Sequence, residues 1–215
     1  KSNYKNKIVH IVAPTVWAWR SYRARKFAKI YNEIFLLFKF EKKYFIFDNF
    51  KTTFISHPIY HIKKRNKKST YKYIAFLPGS RQNEVLKLIK YFDFIEEYIN
   101  QNSLNYKIFI PTLPHLVSLI KDKTKFWKTE VIISTDINSF NDYYNDVYLS
   151  VTCSGTASLE IAKRNIPQIV IYKLNYFTEI IAKPFIKIKY ANLINIVSNK
   201  MIIPEVVNSK LNKKN

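Results

Sequence analysis

Glycine is the residue that this sequence lacks most. The 215 residues contain only Gly79 and Gly155, where an average usage of about 7% would give roughly fifteen. Acidic residues are also few, 15 against 36 Lys and Arg, which leaves a net charge of +21. The single cysteine, Cys153, excludes an internal disulfide framework and favours a reducing compartment. No run of 18 apolar residues occurs and no signal peptide is visible, so no membrane-spanning helix is expected.

Several familiar site motifs are absent as well. The sequence has no G-x-x-x-x-G-K-[ST] loop and no G-x-G-x-x-G loop, which argues against a P-loop ATPase and a standard dinucleotide enzyme. The four histidines do not form a metal-ligand spacing with Cys153. We therefore expect no structural zinc and no cofactor.

The excess of positive charge has two interpretations. A net charge of +21 would attract anionic partners such as nucleic acid, acidic lipid or phosphorylated substrates. A coding bias toward Lys, Asn, Ile, Tyr and Phe would produce the same composition without any function. No basic motif with interleaved aromatic residues points to a known nucleic-acid-binding module, so no nucleic-acid partner is expected.

Short β-type runs alternate with helix-type runs along most of the chain. Strands joined by helices form right-handed βαβ crossovers and a mostly parallel sheet that is covered on both faces. The pattern predicts an α/β fold: a Rossmann-like parallel sheet with helices on both faces, preceded by the tail of a second α/β unit. The predicted strands are 8–13, 33–38, 52–57, 73–77, 106–111, 130–135, 147–152 and 168–173, and the predicted helices are 21–32, 40–48, 82–99, 114–122, a short one ending near 144, 156–164 and 176–186.

Both glycines follow a predicted strand and precede a predicted helix, in FLPGSR and TCSGTAS. In open α/β sheets, ligands bind outside the carboxyl ends of the strands. A glycine there allows positive φ and a close approach of the ligand, and the next helix presents free N–H groups that suit a phosphate. Ordinary βα turns are the alternative. The scarcity of glycine elsewhere favours a phosphate site at Gly79 and Gly155.

Polar side chains flank both glycines. Ser80 offers a hydroxyl and Arg81 a guanidinium that can grip a diphosphate in bidentate fashion. Ser154 and Thr156 can cap the following helix or donate to phosphate oxygens. Glu160 lies one turn further along, where a carboxylate can accept from ribose hydroxyls or simply face solvent.

Six segments occur in the order and spacing of the lipid-A-disaccharide synthase family and span nearly all of the chain. They are APTVWAWRSYRARKFAKIYNEIFLLFKFEKKYF, ISHPI, FLPGSRQNEV, CSGTASLEIA, PQIVIYK and ANLINIVSNKMIIPE. The chain therefore resembles this family of GT-B glycosyltransferases (glycosyltransferase family 19). The resemblance implies transfer of 2,3-diacylglucosamine from UDP-2,3-diacylglucosamine to 2,3-diacylglucosamine 1-phosphate, giving lipid A disaccharide 1-phosphate and UDP. It also implies an inverting enzyme without metal, peripheral on the anionic inner face of the bacterial cytoplasmic membrane.

The resemblance assigns roles position by position. The family's LPGSR loop at the UDP diphosphate falls on Gly79, Ser80 and Arg81, and its SGT-x-x-x-E loop and helix fall on Ser154, Gly155, Thr156 and Glu160. Asn195 is placed on the asparagine of the family's N-L block near the donor, and Glu205 on the glutamate that ends this block. Trp17, Trp19 and Arg20 match VWAWR, where packing near the domain interface is favoured over substrate contact.

The resemblance also implies a domain plan. Residues 1–60 would be the C-terminal part of the acceptor-side N-terminal domain, 61–70 a basic linker, 71–203 the nucleotide-sugar-binding domain and 204–215 a truncated C-terminal segment. The family's N-terminal domain begins about a hundred residues earlier, so we expect the general-base carboxylate upstream of residue 1 and no catalytic residue in this span. Ser56 replaces a usual glycine, and His61 stands about where an aspartate is usual.

Alternatives remain at this stage. Another GT-B UDP-sugar transferase or an epimerase would share the glycine corners but would lack VWAWR, and an inactive remnant of the synthase would keep every motif. The aromatic stretch 35–50 is a candidate for membrane contact, with buried packing as the other explanation.

Overall fold

The computed structural model describes residues 6–17, 21–65, 70–153, 155–173 and 190–207. The chain divides into two compact units, with the boundary after His61. Each unit contains its own parallel sheet and its own hydrophobic core.

The first unit contains a three-stranded parallel sheet in the order β1-β2-β3. Its strands are β1 (Val9–Ile11), β2 (Glu33–Leu36) and β3 (Lys51–Phe54), its helix is α1 (Arg23–Ile30), and 3-10 helices cover Lys39–Tyr44 and Pro58–His61. The core gathers the buried side chains of Ala13, Val16, Ala24, Ile34, Leu36, Phe45 and Phe50. The helix predicted over 40–48 is therefore a shorter 3-10 helix.

The seven aromatic side chains of the stretch 35–50 are buried or partly buried. Phe45 is 1% exposed and Phe50 is 8% exposed, because both pack into the core of the first unit. The buried Glu41 carboxylate accepts from the backbone N–H groups of Leu37 (3.1 Å) and Phe38 (2.9 Å), which fixes the turn. Ile46 is exposed. Packing, rather than a membrane face, thus accounts for most of these aromatic side chains.

The second unit is built on a six-stranded parallel sheet in the order β6-β5-β4-β7-β8-β9. This is the doubly wound order 3-2-1-4-5-6. Strands β5 and β6 are added on one side of β4, and strands β7 to β9 on the other, so the switch point lies between β4 and β7. The strands are β4 (Tyr73–Leu77), β5 (Lys107–Pro111), β6 (Val131–Ser134), β7 (Val147–Cys153), β8 (Gln168–Tyr172) and β9 (Glu205–Val207). The helices are α2 (Gln82–Gln101), α3 (Val117–Thr124), α4 (Phe140–Asn145), α5 (Thr156–Lys163) and α6 (Leu193–Ser198), with a 3-10 turn at Pro114–Leu116.

Helices cover both faces of this sheet, as the sequence predicts. On one face, the apolar stripe of α2 packs with α3 against alternate residues of β4 and β5; Phe92 stacks on Phe76 with ring centroids 4.5 Å apart. On the other face, Tyr144 of α4 and Ile161 of α5 pack against Ala75 and Leu77. The α/β fold class is confirmed.

Two elements of the second unit are absent from the predicted pattern. The short strand β9 pairs with β8 in parallel (Val170 opposite Glu205), and α6 precedes it. The helix predicted over 176–186 lies outside the described residues. Part of the predicted linker is anchored, because the Arg65 N–H donates to the Arg164 carbonyl oxygen (3.1 Å) and its guanidinium to the Val147 carbonyl oxygen.

Candidate functional site

A pocket of about 520 Å³ opens in the second unit at the carboxyl ends of β4 and β7. These strands are parallel neighbours, with Leu77 opposite Thr152 at their last paired residues, so the two glycine corners lie side by side. The pocket is lined by Leu77, Gly79, Ser80, Arg81, Glu84, Pro111, Thr112, Leu113, Phe140, Tyr144, Cys153, Gly155, Thr156, Ala157 and Glu160. It occupies the switch point of the sheet, where ligands of doubly wound folds bind.

The first corner joins β4 to α2 and is closed by a carboxylate. Gly79 has φ +110°, a conformation that other residues rarely adopt. The Glu84 carboxylate accepts from the Ser80 N–H (3.2 Å) and from the Arg81 guanidinium (2.7 Å). A Cβ at Gly79 would lie 2.5 Å from Glu84 Oε2. Both the backbone angle and the close carboxylate therefore require glycine here.

Glu84 was not among the predicted site residues. Its carboxylate accepts from the Arg81 guanidinium, which the sequence assigns to a phosphate, and from the Ser80 backbone N–H. The signal was present, because an acidic residue three positions after Arg81 falls in the first turn of the predicted helix. A bound diphosphate would compete with this carboxylate for the same donors.

The second corner joins β7 to α5. Gly155 is the N-cap of α5 with φ +134°, and a Cβ there would meet no atom within 4 Å. Glycine provides no capping side chain, and the first residues of α5, Thr156 and Ala157, line the pocket, so the N–H groups of the first turn lie beside it. Ser158 Oγ donates to the Gly155 carbonyl oxygen (2.9 Å), and this hydrogen bond stabilises the corner. This geometry suits an anion at the helix N-terminus.

Glu160 also lines the pocket and belongs to a small charged cluster. Its Oε1 accepts from Arg164 Nη2 at 3.1 Å, and Arg164 Nη1 donates to Asn141 Oδ1 at 2.7 Å. The Arg164 guanidinium also stacks over the Tyr144 ring, 4.4 Å from its centroid. Burial raises the pKa of the Tyr144 hydroxyl well above its usual range.

Two further polar groups line the pocket: Thr112, which follows β5, and Cys153, which ends β7. Thr112 is 8% exposed, and its hydroxyl has no hydrogen-bond partner among the described residues. Burial, together with the nearby Glu84 carboxylate, raises the pKa of the Cys153 thiol to about 12. Cys153 is therefore a neutral thiol at physiological pH and is poorly suited to act as a nucleophile.

Asn195 and Glu205 do not line the pocket. Asn195 is fully buried, and its amide bonds the backbone of Ile202 and Ile203. The Glu205 carboxylate accepts from the N–H groups of Ala191 (3.0 Å) and Asn192 (2.8 Å). These contacts shape the segment before β9, and a direct role at the donor stays a prediction.

Asn192 is a residue that sequence reasoning missed. It is fully buried, and its Nδ2 donates to Ser158 Oγ at 2.8 Å, which in turn holds the Gly155 corner. The sequence offered a signal, because Asn192 and not Asn195 is followed directly by leucine in ANLINIV. Asn192 is thus linked to the pocket residue Gly155 by two hydrogen bonds through Ser158.

The structure unites six of the predicted residues in one pocket: Gly79, Ser80, Arg81, Gly155, Thr156 and Glu160. Ser154, Trp19 and Arg20 lie outside the described residues. Trp17 belongs to the first unit, where its ring packs edge-on against Phe40 with centroids 5.9 Å apart. Its indole N–H is buried without a partner among the described residues.

The described part of the chain offers neither a metal site nor a membrane-spanning helix. No group of three or more His, Cys, Asp or Glu side chains there could hold a metal ion. Within the same ranges, every helix is too short or too polar to cross a membrane.

The fold and the pocket together define a doubly wound α/β protein with a pocket at the switch point of its sheet. Comparison with known proteins makes this class specific: the model of the lipid-A-disaccharide synthetase family (LpxB) matches residues 1–215. The chain belongs to this family, and the resemblance seen in its sequence is confirmed.

Curated relatives agree with the family assignment. The chain is 36% identical over 214 residues to the lipid-A-disaccharide synthase of Rickettsia bellii, covering 94% of this chain and 55% of the relative. It is 28% identical over 211 residues to the enzyme of the same name from Rhodospirillum centenum, covering 93% of this chain and 53% of the relative. The chain thus spans about half the length of the curated relatives it matches.

One solved structure shares the fold. The crystal structure of TarM superposes with a TM-score of 0.55 at 14% identity, covering 99% of this chain and 43% of that one. At this identity the likeness supports the α/β fold class alone.

Proposed function

We propose that this chain is the nucleotide-binding part of a lipid-A-disaccharide synthase. The whole enzyme would transfer 2,3-diacylglucosamine from UDP-2,3-diacylglucosamine to 2,3-diacylglucosamine 1-phosphate, giving lipid A disaccharide 1-phosphate and UDP. Family membership supports the reaction. The family names do not favour another UDP-sugar transferase or an epimerase.

The observation that carries the proposal is the adjacency of the two glycine corners. Gly79 and Gly155 follow paired parallel strands and line one pocket, so a single diphosphate can contact both loops. Backbone N–H groups at two loops and one guanidinium give several donors without a metal. Glu160 stands beyond these donors, where it would accept from the ribose hydroxyls.

The proposed mechanism is direct displacement at the anomeric carbon. The acceptor 6-hydroxyl would attack, a general base would take its proton, and the bond from the anomeric carbon to the UDP oxygen would break. Negative charge grows on the departing UDP. Arg81 and the N-terminus of α5 would stabilise this charge, and removing one such group typically costs about 10²–10³ in rate. The described residues contribute the leaving-group side of the reaction.

The remaining expectations extend this proposal. We place the nucleotide-sugar-binding domain at 71–203, after the basic linker 61–70, and the acceptor-side portion at 1–60. The acylated donor and acceptor would bring the enzyme to the anionic inner face of the cytoplasmic membrane, where each basic residue near the surface contributes about 1 kcal/mol.

Arg81→Ala tests the proposal in the 215-residue chain. Hydrogen bonds to charged groups are worth about 1.5–3 kcal/mol, so the Kd for UDP, measured by isothermal titration calorimetry, should rise about tenfold to a hundredfold. Arg25→Ala, an exposed arginine on α1, is the matched control and should leave the Kd unchanged. A folded chain that does not bind UDP, or an Arg81→Ala variant that binds it as well as the wild type, would refute the proposal.

A further inference from the structure

We propose that Arg164 is a positioning residue, which holds Glu160 in the orientation needed to accept from a ribose hydroxyl. The site would then select a ribonucleotide over its 2′-deoxy counterpart. This inference rests on the proposed function, because it assumes that the pocket takes a nucleoside diphosphate.

Arg164 is fixed by neighbours that surround its guanidinium. Nη1 donates to Asn141 Oδ1 (2.7 Å), Nη2 donates to Glu160 Oε1 (3.1 Å), and the planar group lies over the Tyr144 ring at 4.4 Å. Tyr144 is itself 2% exposed, so the surface under the guanidinium is rigid. A guanidinium fixed in this way presents its donors to the carboxylate in one geometry.

The burial of Arg164 points to a purpose beyond stability. The residue is 7% exposed, and its Nε has no hydrogen-bond partner among the described residues. Desolvating a cation and leaving one of its N–H groups unsatisfied is costly. A leucine or methionine would fill this space between α4 and α5 without that cost, so the charge itself is the feature to explain.

The contact with Arg164 leaves Glu160 able to bind a ligand. The Glu160 side chain is 31% exposed and lines the pocket, and Arg164 engages only its Oε1. Without Arg164 this half-exposed side chain would turn freely among several rotamers. With Arg164 in place, Oε2 has no hydrogen-bond partner among the described residues and can accept from a donor in the pocket.

The position of Glu160 suits a sugar hydroxyl better than a phosphate. A carboxylate repels phosphate oxygens and accepts from hydroxyl donors. Glu160 lies four residues after Thr156, and the helical rise of 1.5 Å per residue places it about 6 Å from the N-terminus of α5. That is roughly the distance from a phosphate at the helix end to the hydroxyls of the adjoining ribose.

The test compares UDP with 2′-deoxy-UDP on the 215-residue chain by isothermal titration calorimetry. The wild type should bind UDP about tenfold or more tightly, the effect of one hydrogen bond to a charged acceptor. In Glu160→Gln and in Arg164→Met the UDP preference should fall to about twofold or less, while the Kd for 2′-deoxy-UDP stays within about twofold of wild type. Arg164→Lys should recover part of the preference.

Several outcomes would overturn the inference. If Arg164→Met raises the Kd for UDP and for 2′-deoxy-UDP by the same factor, the role of Arg164 is structural. A UDP preference that is unchanged in this variant would refute the positioning role as well. If the wild type binds both nucleotides with equal Kd, the proposed ribose contact is disproved but the proposed function is not. A folded wild type that binds neither removes both. Should Arg164→Met fail to fold, Asn141→Ala replaces it, since it loosens the guanidinium from the surface and should lower the preference.

Discussion

Gly79→Ala is the substitution for which the structure gives the sharpest expectation. At φ +110° an alanine is strained whatever the space around it. Its Cβ would also lie 2.5 Å from Glu84 Oε2, so the carboxylate must shift, and 3.0 Å from Glu84 Cβ, which is a tight contact. The variant must therefore accept backbone strain and push the Glu84 carboxylate off its two donors.

The magnitude follows from these two contributions. A residue held in a sparsely populated backbone region costs about 1–3 kcal/mol. The Arg81–Glu84 ion pair is solvent-exposed, with side chains 79% and 38% exposed, so losing it adds about 0.2–1 kcal/mol. We expect Gly79→Ala to lower the free energy of unfolding by about 1–4 kcal/mol. For a chain of this length, each kcal/mol corresponds to a fall in Tm of about 2–4 °C.

Gly155→Ala is the matched control. It carries similar strain at φ +134°, but its methyl group would meet no atom within 4 Å. Thermal unfolding of both variants, alone and with Glu84→Ala, separates the two contributions. Glu84→Ala should relieve part of the cost at residue 79 and none of the cost at residue 155.

Nucleotide binding gives a second measurement on the same pair. Gly155 lines the pocket and a methyl group there would stand in open space, so Gly155→Ala should lose UDP affinity beyond what its stability loss explains. If Gly79→Ala were as stable as the wild type, or if Glu84→Ala failed to relieve it, the close contact between residues 79 and 84 would be disproved.

Three further predictions concern separate parts of the chain. Hydrogen bonds from Lys7 and Thr53 lower the pKa of the Glu33 carboxyl from 4.5 to about 2; its stabilising contribution is complete above about pH 4.5 and is lost as the pH falls toward 2. The unfolding free energies of wild type and Glu33→Gln, measured by urea titration at several pH values, should therefore converge over that range, and a constant difference would contradict the assignment. Cys153, whose thiol pKa is raised to about 12, should react with iodoacetamide at pH 8 far more slowly in the folded chain than in urea; equal rates would show that the thiol is exposed. Phe92→Ala removes a fully buried ring and should cost about 3–5 kcal/mol of unfolding free energy in chemical denaturation, whereas a cost below about 1 kcal/mol would mean that this core is loosely packed.

The regular part of the second unit could be predicted because its signals are local. The stripe of α2 follows the helical period, and β4, β5 and β7 are apolar runs bounded by turns. Strand β9 has three residues and owes its existence to pairing with β8, a contact that no local pattern reveals. The stretch 40–48 looked helical because its apolar residues are dense, but burial of Phe45 and Phe50 on either side of an exposed Ile46 favours a tighter turn.

In the site, too, some residues have a local sequence signal and others are revealed only by tertiary contacts. Gly79, Arg81 and Gly155 stood out because the chain uses glycine so sparingly and places basic and hydroxyl groups beside it. The position of Glu84 in the first turn of α2 was a signal only for an acidic residue near the helix N-terminus; its partners, like those of Arg164, appear only in the folded structure, because a charged residue on a helix usually faces solvent. Asn192 acts from 37 positions beyond Gly155 through Ser158, a distance that sequence spacing cannot measure.

The link from Asn192 through Ser158 to Gly155 ties the last strand of the sheet to the mouth of the pocket. Energetic coupling between two such places is reciprocal. A molecule that binds and stabilises the Gly155 corner should therefore make the opening of residues 190–207 less favourable, and opening of that segment should lower the affinity for the molecule by the same factor. Amide hydrogen exchange in residues 190–207 should therefore decrease when a ligand occupies the pocket, although the exchanging amides lie outside it.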